Sequence, residues 1–247
     1  MSEDRLEVLA DRVRRASRLT ILTGAGVSAA SGVPTFRGAA GLWRQFRAED
    51  LATPGAFRRD PMLVWEWYAS RREMVASCQP NAAHDVIAWW SARMDGCRVI
   101  TQNVDDLHIR AGTARLIRLH GSLWTLACWN ECGATPWRDE RVPFAALPPR
   151  CAQCKGLARP AVVWFGEALG ADDVDAALDA CACDVFLTVG TSSIVYPAAG
   201  LVHEAQRLGA FTVEVNLDPT PASRVVDLAI QGPAEVVLPE VETRIHH

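Results

Sequence analysis

A chain of 247 residues, 49% apolar and 22% charged, suits one large globular domain, or a large domain bearing a smaller one, and not a disordered or fibrous chain. The formal net charge of −4 supplies no basic stripe for phosphates, so nucleic acid is not an expected partner. No apolar run reaches membrane-spanning length, and the start Ser2-Glu3-Asp4-Arg5-Leu6 is unlike an export signal; no membrane association and a cytoplasmic, reducing setting are expected, where eight cysteines bind metal or pack rather than form disulfides.

Ser2 can cap a first helix with the apolar stripe Leu6, Leu9, Val13. The apolar run Leu19 to Leu22 then leads directly into Thr23-Gly24-Ala25-Gly26, the strand, glycine turn and helix that open a nucleotide-binding α/β unit. Comparable runs recur at Val99-Ile100-Thr101, Leu116-Ile117, Ala161 to Phe165, Val185 to Val189 and Phe211 to Val215. Helical patterns such as Asn81 to Met94 and Pro197 to Leu208 separate most of them. This alternation predicts an α/β fold: a Rossmann-like parallel sheet with helices on both faces. Two stretches break the rhythm. Phe36 to Cys78 is aromatic and largely helical, with Asp60-Pro61 as a helix start, and Leu123 to Pro160 is rich in cysteine, proline and arginine. The expected division is therefore 1–35, 79–123 and 160–247 for the nucleotide-binding domain, and 36–78 with 124–159 for a small helical and zinc-ribbon domain. The stretch after Pro239 is short for a closing helix, which suggests a shortened C-terminus, and His246-His247 reads as an addition outside the fold.

The glycines of Gly24-Ala25-Gly26-Val27-Ser28-Ala29 would let the backbone approach a pyrophosphate at a helix N-terminus, although a plain strand–helix turn gives the same pattern. A hydride-transfer enzyme should continue into a second strand ending in an acidic residue. Instead Ser31-Gly32-Val33-Pro34-Thr35-Phe36-Arg37-Gly38 follows, a polar segment suited to a lid over the cofactor. Two polar clusters, Gln102-Asn103-Val104-Asp105 and His120-Gly121, come directly after sheet-like runs and should face one crevice at the strand carboxyl ends. An amide and a carboxylate suit a ribose or carboxamide, and a histidine suits proton removal near neutral pH. On the residues alone, Asn103 and Asp105 could equally cap the next helix and His120 could be a satisfied core histidine. The layout Cys128-x3-Cys132, then Cys151-x2-Cys154, is that of a four-thiolate structural zinc site, whereas Cys78, Cys97, Cys181 and Cys183 read as small buried residues.

Taken in order, the motifs Gly24-Ala25-Gly26-Val27-Ser28, Gly32-Val33-Pro34-Thr35-Phe36-Arg37, Gln102-Asn103-Val104-Asp105, His120-Gly121, Phe165-Gly166-Glu167, Gly190-Thr191-Ser192 and Val215-Asn216 resemble the sirtuin family, from about Leu19 to Pro239. The resemblance implies an NAD-dependent protein-lysine deacylase that consumes NAD as co-substrate, acts on acyl-lysine proteins and carries one structural zinc ion; a monomer is expected. It implies that the acyl oxygen displaces nicotinamide from the ribose, that His120 is the general base with Asn103 beside it, and that free lysine and acylated ADP-ribose are released. Gly24, Ala25, Gly26, Ser28, Thr35, Phe36, Arg37, Trp43 and Gln102 match cofactor-site positions, with Asn103 and Asp105 near the nicotinamide and its ribose. Gly190, Thr191, Ser192, Asn216, Asp218 and Ala234 match the adenosine side, and Val163, Phe165, Gly166, Glu167 and Tyr196 match positions where the substrate peptide adds as a strand.

Tyr68 and Arg71 lie three apart on the helix predicted after Pro61 and share a face, from which a phenol and a guanidinium could hold a carboxylate; a solvated helix charge is the bland alternative. Leu51-Ala52-Thr53-Pro54, Trp65-Glu66-Trp67-Tyr68 and Arg71-Arg72-Glu73 resemble the sirtuin branch that removes acidic acyl groups such as succinyl and malonyl. In that branch Tyr68 and Arg71 bind the distal carboxylate and Ala52 widens the acyl pocket. A plain deacetylase is the alternative, followed by an ADP-ribosyltransferase on the same crevice; a non-catalytic NAD-sensing module would not need His120, Asn103 and Asp105 together.

Overall fold

A computed structural model describes residues 3–35 and 48–246. Its strands are β1 (Arg18–Thr23), β2 (Gly96–Thr101), β3 (Leu116–Arg118), β4 (Gly121–Cys128), β5 (Trp137–Arg138), β6 (Ala158–Val162), β7 (Val185–Val189), β8 (Phe211–Asn216) and β9 (Leu228–Gln231). Its α-helices are α1 (Glu3–Arg15), α2 (Ala48–Leu51), α3 (Pro54–Arg59), α4 (Pro61–Ser77), α5 (Ala82–Arg93), α6 (Leu107–Arg110), α7 (Ala171–Ala180), α8 (Leu201–Arg207) and α9 (Ala234–Ile245).

Strands β3-β2-β1-β7-β8-β9 form one parallel sheet in that order. Residues of β1 point alternately to its two faces, because side chains on a strand repeat every second residue. Leu19 and Ile21 pack with Leu6 and Leu9 of α1, Ile87 of α5 and Val237 of α9. Leu22 packs on the other face with Ala177 of α7 and Leu201 and Val202 of α8. The sheet is thus covered by helices on both sides, the arrangement the alternating pattern predicts.

The second sheet is small and antiparallel, in the order β5-β4-β6, and its core is shared with Phe57 of α3 and Val64 and Trp65 of α4. Helix α4 starts as its sequence dictates: the Asp60 side chain accepts from the Leu63 amide at 2.9 Å, and Pro61 occupies the first turn, where its missing N–H costs nothing.

Three features differ from the sequence reading. The apolar run Ala161 to Phe165 is not a strand of the parallel sheet; the strand is β6, at the edge of the small sheet. Pro160 within it explains why, since a residue without an N–H is accommodated at a sheet edge. Strand β9, short and only half-buried, was not anticipated. Helix α9 spans Pro239 and runs on to Ile245, so the stretch after Pro239, expected to be short for a closing helix, completes one. Val237, Leu238 and Val241 are fully buried, and that packing outweighs the one backbone hydrogen bond Pro239 cannot make. Ser2 and the part of the expected lid from Phe36 to Gly38 lie outside the described residues.

Candidate active site

The order of the parallel sheet reverses direction between β1 and β7, and a cavity of about 1140 Å³ opens at the strand carboxyl ends there. This is where an open α/β sheet leaves a crevice for a ligand. Gly24, Ala25, Gly26, Thr35, Gln102, Asn103, His120, Gly190, Thr191, Ser192, Asn216, Asp218 and Ala234 line it. So do Ala52, Tyr68, Arg71, Val163, Phe165, Gly166, Glu167 and Tyr196. Phe36, Arg37 and Trp43 lie outside the described residues.

The glycine turn answers to its neighbours first. A Cβ on Gly24 would sit 2.8 Å from the Gly190 carbonyl oxygen and one on Gly26 2.7 Å from the same atom. The Gly26 amide donates to that carbonyl at 2.7 Å, so the turns after β1 and β7 lie backbone to backbone at the head of the crevice. The segment after Gly24 is a short 3-10 helix, Ala25–Ser31, in place of the α-helix the pattern suggests. Opposite, the Gln102 amide donates to Thr191 Oγ1 at 3.0 Å, and Asn216 Nδ2 donates to the Thr191 carbonyl at 3.1 Å.

Ser28 and Asp105 do not line the cavity. They stand directly behind its wall, Ser28 fully buried and Asp105 nearly so. His84 Nδ1 accepts from the Asn81 amide at 3.3 Å, so its Nε2 carries the proton and donates to Ser28 Oγ at 3.4 Å. Asn103 Nδ2 donates to the same oxygen at 3.2 Å, and the Ser28 hydroxyl donates to Asp105 Oδ2 at 2.8 Å. Every hydrogen-bonding position of Ser28 is thereby used, and the Asn103 carboxamide is held at the cavity wall. Asp105 Oδ1 also accepts from the Leu107 amide at 2.9 Å, so the capping role holds alongside this one. Burial pushes the Asp105 carboxyl above its usual range, with the Leu107 and Ser28 hydrogen bonds opposing.

His120 follows β3 and precedes Gly121, whose φ of 78° and 2.0 Å virtual Cβ contact with the Ala161 carbonyl admit no side chain. Its Nδ1 lies 2.9 Å from the Gln102 carbonyl oxygen, which can only accept, so Nδ1 carries the proton and Nε2 keeps a lone pair. Burial pulls the imidazole below its ordinary value, the Gln102 contact acting the other way.

At the other end, Tyr68 and Arg71 of α4 are 4% and 6% exposed, so neither is a solvated helix charge. Trp164 donates its indole N–H to the Tyr68 hydroxyl at 2.8 Å, and the Arg71 guanidinium lies 4.9 Å from the Trp67 ring centre. Burial lowers the Arg71 pKa, while Tyr68 and Asp105 act to raise it. The Ala52 carbonyl accepts from the Phe165 amide at 2.9 Å, which fixes that small residue against the segment bearing Trp164. Glu167 lines the cavity with its carboxylate already committed. Arg159 grips it with two N–H groups at 2.5 and 2.8 Å, and the Trp164 amide donates to it at 2.8 Å.

Some wall residues were not singled out from sequence. Trp67 carried a signal, since it lies four before Arg71 and so shares its helix face. Leu217 and Ile194, both exposed at the cavity, carried none.

Away from the cavity, the Sγ atoms of Cys128, Cys132, Cys151 and Cys154 lie within 4.8 Å of one another. Cys128 and Cys154 approach to 3.5 Å and Cys132 and Cys151 to 3.7 Å. The edge of a ZnS4 tetrahedron with bonds of about 2.3 Å is about 3.8 Å, so the four thiols fit a structural zinc ion. Cys78, Cys97, Cys181 and Cys183 are buried and separate from this group.

Residues 24–197 match the Sir2 family. The chain is 45% identical over 224 residues to an NAD-dependent protein deacylase of Aquifex aeolicus, covering 90% of this chain and 93% of that one. It is 46% identical over 255 residues to the mitochondrial NAD-dependent protein deacylase sirtuin-5 of Canis lupus familiaris, covering 92% and 81%. A solved structure of a Sir2 homolog–NAD complex superposes with a TM-score of 0.90 at 43% identity, over 97% of this chain and 93% of that one. With its sheet order, its crevice and these relatives in agreement, the chain belongs to the Sir2 family.

Proposed function

We propose that this NAD-dependent protein deacylase acts preferentially on protein lysines whose acyl group ends in a carboxylate, of the succinyl or malonyl kind. The observation that carries the proposal is the pairing of Arg71 with Tyr68 on the buried wall of the cavity. A guanidinium and a phenol in a desolvated pocket suit a carboxylate, which an acetyl group lacks.

NAD, the co-substrate, supplies an electrophilic ribose carbon from which nicotinamide departs. In this reading Gly24, Ala25, Gly26, Thr35, Gly190, Thr191, Ser192, Asn216, Asp218 and Ala234 form the nucleotide end of the crevice. The polar set Gln102, Thr191, Asn216 and Asp218 fits the hydroxyls of a ribose. Asn103 orients the reacting ribose, with Ser28 and Asp105 acting through it from behind the wall. His120 Nε2 takes the proton of a ribose hydroxyl, because Nδ1 is held by Gln102 and only Nε2 has a lone pair to offer. Val163, Phe165, Gly166, Glu167 and Tyr196 flank the incoming peptide strand, with Glu167 fixing the loop through Arg159.

The test is NAD consumption with matched acetyl-lysine and succinyl-lysine peptides. A higher kcat/KM on succinyl is expected. A preference for acetyl would make this an ordinary deacetylase, and accumulation of an ADP-ribosylated acceptor in place of acyl-ADP-ribose would make it a transferase.

A further inference from the structure

Next to Arg71 in sequence, Arg72 turns away from the cavity. It is 1% exposed and does not line the cavity. Its Nη1 donates to the Leu123 carbonyl at 2.5 Å, and its Nη2 to the carbonyls of Asp139 at 2.6 Å and Arg141 at 3.2 Å. The Asp139 carboxylate lies 3.5 Å away, and the ring centres of Trp124 and Phe144 lie 4.8 and 4.6 Å from the guanidinium. Two of these partners are themselves tied to the turn that follows β2: the Leu123 amide donates to the carbonyl of Val104, which lines the cavity, at 2.9 Å, and the Trp124 indole donates to the carbonyl of Asp105, behind the wall, at 3.0 Å. One buried guanidinium therefore joins α4 to the start of β4 and, through it, to the turn carrying Asn103 and Asp105.

We propose that Arg72 is a positioning residue for acyl selectivity, fixing the rotation of α4 and hence the distance of Tyr68 and Arg71 from Asn103 and His120. This rests on the reading that Tyr68 and Arg71 receive the acyl carboxylate. Successive residues on an α-helix differ by about 100°, so with Arg72 anchored in the small sheet Arg71 must point elsewhere, and here it reaches the cavity. A rotation of about 10° would carry a side-chain tip some 7 Å from the axis through about 1 Å, more than a two-point carboxylate contact tolerates. An acetyl group makes no such contact and would not register the shift. Stability alone gives little reason for the arrangement, because a well-packed apolar residue often replaces a buried ion pair without loss.

The test separates selectivity from general damage. In Arg72→Lys the charge stays opposite Asp139, but one ammonium cannot reproduce a planar fork bonded to three carbonyls. kcat and KM are measured on the full chain for NAD and for acetyl-, malonyl-, succinyl- and glutaryl-lysine peptides. The succinyl-to-acetyl ratio of kcat/KM should fall roughly tenfold or more, through the KM of the acidic peptides, with kcat on acetyl and the KM for NAD within about twofold of wild type. Parallel loss on every acyl group, or an unchanged ratio in a folded variant, overturns the proposal. Should Arg72→Lys fail to fold by circular dichroism, Arg72→Met, which removes the fork and its three carbonyl contacts while keeping a side chain of similar reach, faces the same criterion. A wild type without acidic preference is seen before any variant is made, and overturns the parent reading and this one together.

Discussion

The indole N–H of Trp164 donates to the Tyr68 hydroxyl at 2.8 Å, which casts that hydroxyl as an acceptor toward the protein and leaves its own proton to give into the cavity. Burial pushes the phenol up to about 12, against the pull of Arg71, so it remains a donor throughout the neutral range. Arg71→Met should therefore lose most activity on succinyl-lysine by weaker binding, at a cost of about 2–5 kcal/mol for a desolvated carboxylate left without its partner. Acetyl-lysine activity should be unchanged or improved. Tyr68→Phe should shift the same ratio by less, about 1.5–3 kcal/mol for one hydrogen bond to a charged group. The quantity to compare is the succinyl-to-acetyl ratio of kcat/KM at a single salt concentration; a ratio that does not move would leave Arg71 without a part in acyl recognition.

His120→Ala should leave NAD binding largely intact and lower turnover by roughly 10²-fold or more, the usual scale for a general base. Because burial holds this imidazole below its ordinary value, the acid limb of kcat/KM should have its midpoint below about 6.5. The neutral base is present above the folded value and is lost as pH falls through it. A mutant that keeps near-normal turnover, or an acid limb centred above that pH, would remove His120 from the proton transfer.

His84 and His108 are buried behind the site with ring centres 4.9 Å apart. Desolvation holds His84 near 4 and His108 near 3, the latter pushed further by its neighbour. Both are neutral in the folded chain at neutral pH, and unfolding lets them take up protons once the pH drops below about 6.5. Their contribution to stability is complete above that pH and is lost as pH falls toward the folded values, at about 1.4 kcal/mol per pH unit for each histidine. The buried Asp105 carboxyl, pushed upward, works in the opposite sense at the acid end. Urea melts between pH 7 and 5 should show the midpoint falling with pH, and His108→Gln should flatten that slope. A slope equal in wild type and variant would mean that His108 does not titrate as its burial demands.

Metal analysis should find one zinc ion per chain, held by Cys128, Cys132, Cys151 and Cys154. Cys151→Ser or Cys154→Ser should release it and loosen the β5-β4-β6 sheet, since structural zinc binding is coupled to folding. Through Arg72, which reaches the Asp139 and Arg141 carbonyls beyond β5, that loosening should also reach α4. A purified chain that lacks zinc yet melts and turns over normally would show that the four thiols hold no ion.

Where chemistry is written in adjacent residues, the sequence by itself determined it. The run Leu19 to Leu22 before the glycine turn, the Asp60-Pro61 helix start and the two cysteine pairs each specify a local geometry through periodicity, capping or ligand spacing, and each is found in the fold. The ordered motifs likewise carried the family. Tertiary structure decided what periodicity cannot encode, namely which partner a segment meets. An apolar run reads alike whichever sheet it joins, so β6 was assigned to the wrong one; Pro160 marked an edge position without saying of which sheet. The stretch after Pro239 reads as short for a closing helix until the burial of Val237, Leu238 and Val241 on either side of the proline is known. Ser28 and Asp105 share a motif family with residues of the cavity wall, yet they stand one layer behind it, because only the packing of β1 against β2 sets which polar groups are desolvated together. The same holds for Arg71 and Arg72. Spacing alone aligns Arg71 with Tyr68 but gives Arg72 no role; a helix turns the two arginines about 100° apart, and the long-range contacts of α4 send one to the cavity and the other into the small sheet.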